Sequence, residues 1–196
     1  MIISEKESKG PSTTWGFVIV LIGTMVLYWL MKNLPTGNEW LPSYGDWANK
    51  APNNFLYRVY WFIGDMTEAQ FYKSLLAGLG VWIFGAIAWY LDRIKSKWAG
   101  TSICYGTGLW PWVFASSTLG LFMSDFIFDY VSILGTPRGI ELGWIPSFVP
   151  CVSIPVAVVF IYGGNWRSTL TGGILGGMIG FPIARFMIDK WLAPWG

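Results

Sequence analysis

Long apolar runs separated by short polar stretches dominate the pattern of hydrophobic and polar positions along this chain. Several runs approach the roughly 20 residues that a helix needs to cross a hydrocarbon layer about 30 Å thick. The pattern therefore predicts an all-α fold, that of a polytopic helical membrane protein. We expect about five transmembrane helices, at residues 15–32, 72–91, 109–131, 144–162 and 169–188.

Two stretches lie outside these predicted spans. Residues 1–14 are polar and of mixed charge, which predicts an N-terminal tail, and residues 15–196 then form a single transmembrane domain. Residues 33–71 are aromatic, but proline and glycine interrupt them, and their longest apolar run is too short to span. We expect an interfacial or re-entrant segment here rather than a sixth span, with Asp65 and Glu68 solvated.

The composition agrees with a lipid-exposed surface. Charged residues make up 12% of the chain, whereas soluble domains carry about 25%. The 14 Trp and 9 Tyr are typical of a protein with two membrane–water interfaces. The net charge of +2 is scattered rather than clustered, which argues against a nucleic-acid partner.

The orientation follows from Lys and Arg close to the ends of the spans. The short loop after the second predicted span contains Arg93, Lys95 and Lys97. Short basic loops tend to stay on the cytoplasmic side of a membrane. We therefore expect a multi-pass protein with a cytoplasmic N-terminus.

No residue pattern indicates enzyme chemistry. The chain has no His, which removes the commonest general base and metal ligand. Cys104 and Cys151 lack metal-ligand spacing, and we expect two buried thiols rather than a disulfide. No glycine pattern matches a nucleotide site, and no motif identifies a metal or another cofactor. We therefore name no catalytic residue.

The last predicted span has one face of glycines. Gly172, Gly176 and Gly180 recur every four residues, with Gly173 and Gly177 beside them. In a helix these positions share one side, which lets a second helix approach closely. We expect packing against another span of the same chain. Self-association or docking on a partner subunit is the first alternative, and a pore lined by glycine backbone is the second.

Four charged residues form a candidate intramembrane charge site. Asp125 and Asp129 stand four residues apart, as do Arg185 and Asp189, so each pair shares a helix face. With five spans, both pairs lie near the same side of the membrane. A carboxylate in hydrocarbon needs a partner, so we expect an Asp125–Arg185 ion pair. It is either a structural clamp or a proton- or cation-coupled site, unless the charges snorkel to the interface.

Three prolines, Pro146, Pro150 and Pro155, lie within the fourth predicted span. Proline removes a backbone hydrogen bond, so this span is either kinked around its neighbours or broken. A broken helix would present backbone carbonyls to a bound substrate, as in some transporters.

These features favour a small integral membrane transporter, or a transporter subunit, of unknown substrate. The alternative is a non-catalytic accessory subunit of a larger membrane complex, and a membrane enzyme is the weakest hypothesis. The expected partners are the lipid bilayer and either other membrane subunits or a second copy of the chain.

Overall fold

The computed structural model describes four parts of the chain, residues 13–33, 41–96, 107–137 and 144–192. All regular secondary structure in these residues is helical, so the all-α prediction is confirmed. Most of the predicted tail at 1–14, and Cys104, lie outside the described residues.

The chain divides into two compact units, residues 1–41 and 42–196. The first unit contains α1 (Thr13–Asn33). The second contains α2 (Tyr44–Lys50), α3 (Phe55–Asp65), α4 (Ala69–Tyr72), α5 (Leu75–Arg93), α6 (Trp110–Phe122), α7 (Val149–Val152), α8 (Ile154–Tyr162) and α9 (Trp166–Met187). A π-helical turn at Met123–Ile127 extends α6, another at Ile188–Leu192 extends α9, and a 3-10 helix covers Tyr130–Gly135.

Each of the five predicted spans coincides with helical structure, but their lengths differ. Within the described residues, one helix, Trp166–Trp191, is both long enough and apolar enough to cross a membrane by length and composition. Shorter apolar helical stretches lie at Phe17–Trp29, Leu75–Leu91 and Val149–Tyr162.

The glycine face of α9 packs within the same chain, against α6, α7 and α8. A Cβ atom added at Gly173 would lie 2.7 Å from the Leu119 side chain, and one at Gly176 would lie 2.5 Å from the Pro155 ring. There is thus no room for a side chain on this face. The remaining glycines of the face meet neighbours in the same way: Gly172 faces Ser116, Gly177 faces Gly120 and Met123, and Gly180 faces Pro150.

The start of α9 is fixed by its own capping residues. The Asn165 side chain accepts hydrogen bonds from the backbone N–H groups of Arg167 and Ser168, each at 3.0 Å. In return the Ser168 hydroxyl accepts one from the Asn165 N–H at 3.3 Å. This capping box satisfies N–H groups that the first helical turn leaves without partners. Gly163, with φ +82°, makes the preceding turn, so that α8 and α9 lie side by side.

The fourth predicted span is broken rather than only kinked. Pro150 lies in the first turn of α7 and Pro155 in the first turn of α8. Ser153, with φ −98° and ψ −104°, separates the two helices. Proline is tolerated in a first turn because the N–H that it lacks would have no helical partner there. Pro146 is buried in the non-helical stretch before α7.

The described part of the aromatic segment, residues 41–71, forms short helices packed on α5. Gly78 of α5 lies directly under the backbone of Ile63, so α3 and α5 touch through their main chains. The Trp47 ring meets the Trp61 ring edge-on at 5.8 Å between centroids, and both side chains are buried. This packing places the C-terminal end of α3 inside the protein.

The glycine face gives a test of packing. We expect Gly176→Ala to destabilise the protein by about 1–3 kcal/mol, because the added methyl group overlaps the Pro155 ring. The measurement is the midpoint of thermal unfolding of the purified protein. Gly80→Ala is the matched control, since the nearest atom to a Cβ there is 3.9 Å away and alanine favours a helix. Equal losses in the two variants would contradict the packing role.

Candidate functional site

A carboxyl group is buried at the C-terminal end of α3. Asp65 is 0% exposed. Its Oδ1 atom accepts a hydrogen bond from the backbone N–H of Ala69 at 3.0 Å, which ties α3 to α4. Its Oδ2 atom has no hydrogen-bond partner among the residues that the structure describes. The expectation that Asp65 is solvated is therefore wrong.

The burial of Asp65 follows from the way the chain closes over the end of α3. Gln70 of α4 makes two hydrogen bonds with the backbone of Ile145: its Nε2 donates to the carbonyl at 2.6 Å, and its Oε1 accepts from the N–H at 2.9 Å. Glu68, which is partly buried, accepts a hydrogen bond from the Trp144 indole at 3.1 Å. The stretch before α7 is thus tied to the turn after Asp65.

A second buried carboxyl group lies on the π turn that extends α6. Asp125 is 0% exposed, as is the neighbouring Ser124. Within the described part of the chain, neither Asp125 oxygen has a hydrogen-bond partner, and the same holds for the Ser124 hydroxyl. Single π turns inside α-helices are rare and frequently lie at functional sites.

The two carboxyl groups belong to one cluster. Asp65 and Asp125 interact electrostatically, and the Cys151 thiol of α7 interacts with both. The Ser147 hydroxyl and the Trp61 indole face Asp65 and favour its charged form, but neither makes a well-formed hydrogen bond within the described residues. We call this cluster the acidic core and define it as Trp61, Asp65, Ser124, Asp125, Ser147 and Cys151.

Burial is the largest of the effects on the pKa of Asp65. It raises the pKa of Asp65 from 3.8 to about 7, because the charged form loses its contact with water. The nearby Ser147 hydroxyl and the Ala69 N–H lower the pKa, and the negative charge of Glu68 raises it. Asp65 therefore titrates close to neutral pH.

An ion pair joins α3 to the chain just beyond α6. Arg58 Nη1 lies 2.5 Å from Asp129 Oδ1. The same guanidinium donates to the carbonyl oxygens of Ala51 and Pro52 at 3.2 and 2.6 Å, and to the Ser132 hydroxyl at 3.3 Å. The Asp129 side chain is 47% exposed and that of Arg58 16%. Arg58 precedes Asp65 by about 10 Å along α3, so the pair lies nearer the surface than the acidic core.

The structure separates the four residues of the expected charge site. Arg185 Nε binds Asp189 Oδ2 at 3.0 Å on α9 and its π turn, and Asp129 pairs with Arg58. The expected Asp125–Arg185 ion pair is not formed, because no described residue hydrogen-bonds to Asp125.

The π turn explains why the helix-face argument failed at Asp129. This residue has φ +56° and lies beyond the helical turns, so it does not continue the face on which Asp125 lies. The helix in the predicted third span, with its π turn, therefore ends at Ile127 rather than at residue 131.

The sequence analysis did not identify Arg58 as the partner of Asp129. It also did not identify Asp65 and Trp61 as members of the acidic core. Arg58 and Asp65 stand seven residues apart in the aromatic segment, a spacing that places both on one helix face. That spacing was the available signal.

Neither a metal-binding cluster nor a cavity in the described residues provides a second candidate catalytic or ion-binding site. They contain no group of three or more His, Cys, Asp or Glu able to hold a metal ion. A cavity of about 550 Å³ lies between α8 and α9, away from the acidic core, and is lined by Val158, Tyr162, Asn165, Arg167, Ser168, Thr171 and Leu175.

Comparison with protein-family models, with curated proteins and with solved structures finds no match. The argument for function therefore rests on the acidic core. Its carboxyl and hydroxyl oxygens are hard acceptors, suited to a proton or a small hard cation.

The acidic core gives a pH-dependence test. Between about pH 4 and pH 7 an unfolded chain ionises Asp65 while the folded chain keeps it protonated, so stability falls as the pH rises. The difference between 3.8 and about 7 corresponds to about 4 kcal/mol. In the Asp65→Asn variant, we expect the midpoint of unfolding to fall less steeply than in the wild type as the pH rises across this range.

Asp46→Asn is the control for this experiment, because Asp46 is an exposed carboxylate on α2. This variant should keep the wild-type fall in stability. Parallel curves for the wild type and Asp65→Asn would refute the assignment.

Proposed function

We propose that this protein is a multi-pass integral membrane protein that acts as a small transporter or transporter subunit, coupled to a proton or cation through the acidic core. The observation that carries the proposal is the pair of fully buried carboxyl groups, Asp65 and Asp125. The Oδ2 atom of Asp65 and both oxygens of Asp125 have no partner among the described residues. An ionisable group inside a membrane protein is costly and usually marks an ion or substrate path.

The surfaces of the helices support the membrane part of the proposal. In the apolar window of Trp166–Trp191, 33% of the residues are buried, whereas the core helix of a soluble protein is mostly buried. Soluble monomers rarely expose large apolar patches. Here large apolar side chains are exposed on several helices, among them Phe17, Val20, Met25, Leu76, Ile83, Phe84, Ile161, Ile183 and Phe186.

Helix lengths support the same view. With 21 residues, α1 is about 31 Å long, and α5 with 19 residues is about 28 Å long. Both lengths are close to the thickness of a hydrocarbon core.

The local backbone around the acidic core supports coupling. Asp125 lies on a π turn, and Ser147 and Cys151 flank the start of the broken helix pair α7–α8. Transporters place ion and substrate sites at discontinuous helices.

The accessory-subunit function is the second candidate, and the exposed surface of α1 is compatible with it. This helix exposes Phe17, Val20, Met25 and Trp29, which point in several directions around its axis. Such a surface suits either lipid or the membrane helices of a partner subunit.

The membrane topology can be tested by cysteine labelling in a chain whose Cys104 and Cys151 have been replaced. With five spans and a cytoplasmic N-terminus, we expect Asn53→Cys and Thr136→Cys to react with an impermeant maleimide added outside intact cells. Ser96→Cys and Arg167→Cys should react only after the cells are opened. Labelling of all four positions from one side would refute the five-span topology.

Transport can be tested with proteoliposomes that contain a pH-sensitive dye. We expect the wild-type protein to dissipate an imposed proton or alkali-cation gradient faster than empty vesicles do, because the acidic core binds the ion on its way. Asp125→Asn should reduce the rate to that of empty vesicles.

Asp46→Asn, which alters an exposed carboxylate, should transport like the wild type. Vesicles that stay as tight as empty ones with every ion tried would refute the transporter function. The accessory function would then be tested by asking whether the protein is monodisperse without partners.

A further inference from the structure

We infer that the cavity between α8 and α9 binds an anionic phospholipid, with the phosphate group at Arg167 and an acyl chain inside the cavity. The inference rests on the proposed function for the membrane around these helices, and it is independent of ion coupling through the acidic core. Lipid binding can be measured on the purified protein without any transport.

The lining of the cavity suits a hydrocarbon chain. Its volume of about 550 Å³ lies within the range of about 300–1,000 Å³ that is usual for small-molecule sites. Val158 of α8 and Leu175 of α9 supply apolar surface, and Arg167 supplies a charge. Because Leu175 stands eight residues after Arg167, the two lie about 12 Å apart along the helix axis. The cavity thus has a charged end and an apolar end.

Apolar space continues farther along the same two helices. A second cavity, of about 230 Å³, is lined by Ile154 of α8 and Ile183 of α9, among others. Ile154 is four residues from Val158, and Ile183 is eight residues from Leu175, so each pair belongs to one apolar stripe of its helix. An extended acyl chain has room on this side of α8 and α9.

Charge complementarity identifies the head group as anionic. Arg167 is exposed, and it takes part in none of the ion pairs among the described residues. The helices α6, α8 and α9 contain no Asp or Glu. A guanidinium binds a phosphate through two parallel hydrogen bonds, and the dipole of α9 adds positive potential at its N-terminal end.

Aromatic side chains indicate that the charged end lies at a membrane–water interface. Tyr162 and Trp166 flank the turn between α8 and α9, and both are exposed. The Arg167 guanidinium lies 5.5 Å from the centroid of the Trp166 ring. Tyr and Trp are enriched at the level of lipid head groups. Basic pockets between membrane helices on the cytoplasmic side bind anionic head groups, and the proposed five-span topology puts this turn on that side.

A second copy of the chain is the competing occupant, and the packing of α9 disfavours it. Close approach of membrane helices uses small residues, and the glycine face of α9 already packs within the chain. The cavity is instead edged by the large side chains of Tyr162, Arg167 and Leu175. These side chains would hold a second helix away, whereas a thin and flexible lipid chain can lie between them.

The experiment is native mass spectrometry of the purified protein, released from detergent micelles that contain phosphatidylglycerol or phosphatidylcholine with the same acyl chains. We expect the wild type to bind one phosphatidylglycerol about fivefold more tightly than phosphatidylcholine, because the net negative charge of its head group is attracted to Arg167. Arg167→Gln should bind the two lipids equally. Arg167→Lys, which keeps the charge, should retain most of the preference.

Arg93 of α5 provides the matched control for the charge. It is exposed, it lies 5.4 Å from the centroid of the Trp89 ring, and it lines neither of the two cavities. Arg93→Gln should therefore keep the wild-type preference for phosphatidylglycerol.

A second pair of variants tests the apolar end. Leu175→Trp should reduce the binding of both lipids, because the indole ring occupies the space of the acyl chain. Leu170→Trp is its control, since Leu170 is an exposed residue of the same helix outside the lining of the cavity.

Equal binding of the two lipids by the wild type, or a preference that Arg167→Gln leaves unchanged, would overturn the inference. Displacement of the lipid by inorganic phosphate would also overturn it, since the acyl chain would then contribute nothing. A dimer that Leu175→Trp dissociates would assign the cavity to a second copy instead.

The outcomes also separate this inference from the proposed function. A lipid preference that depends on Arg167, in a protein whose vesicles transport nothing, would support the inference and refute the transporter function alone. Transport by a protein without that preference would overturn the inference and leave the proposed function standing.

Discussion

The close backbone approach of α9 to α6 and α7 is the constraint on which the rest of the 42–196 unit depends. A Cβ atom at Gly177 would lie 2.8 Å from the Gly120 carbonyl oxygen, and one at Gly120 would lie 2.5 Å from the Pro150 carbonyl oxygen. Van der Waals contact of this kind is the main attraction between helices in lipid. Gly177 also touches Met123 and Ser124, which fixes the π turn and so the position of Asp125, the next residue.

The prolines and glycines form complementary surfaces. The Pro150 and Pro155 residues of α7 and α8 fill the space that Gly172, Gly176 and Gly180 leave open on α9. A regular helix through residues 149–162 could not place both prolines in a first turn, where their missing N–H groups cost least. The break at Ser153 therefore follows from this packing. Cys151 of α7, a member of the acidic core, lies two residues before this break.

The sequence predicted the helices and the glycine face because both depend on local periodicity. Residues spaced four apart in a long apolar helix share one face, whichever elements the helix packs against. The failure of the expected Asp125–Arg185 pair could not be predicted in this way, since the argument assumed regular α-helix and the chain makes a π turn followed by a left-handed residue at Asp129. Asp65 was missed for a different reason. Its burial comes from contacts between α3, α4 and the stretch around Ile145, more than 70 residues away in sequence.

Arg58 is the cation of α3, and it pairs with Asp129 rather than with a carboxyl group of the acidic core. Arg58 stands seven residues before Asp65, on the same face of α3, but its guanidinium binds Asp129 and three further oxygen acceptors. It is held outward by Asp129, whose left-handed conformation carries a strain cost of about 1–3 kcal/mol. Burying the Asp65 and Asp125 carboxyl groups is costly, because an unpaired buried charge is among the largest destabilising features of a protein. With Arg58 bound to Asp129, no hydrogen bond from a described residue compensates the buried Asp125 carboxyl group.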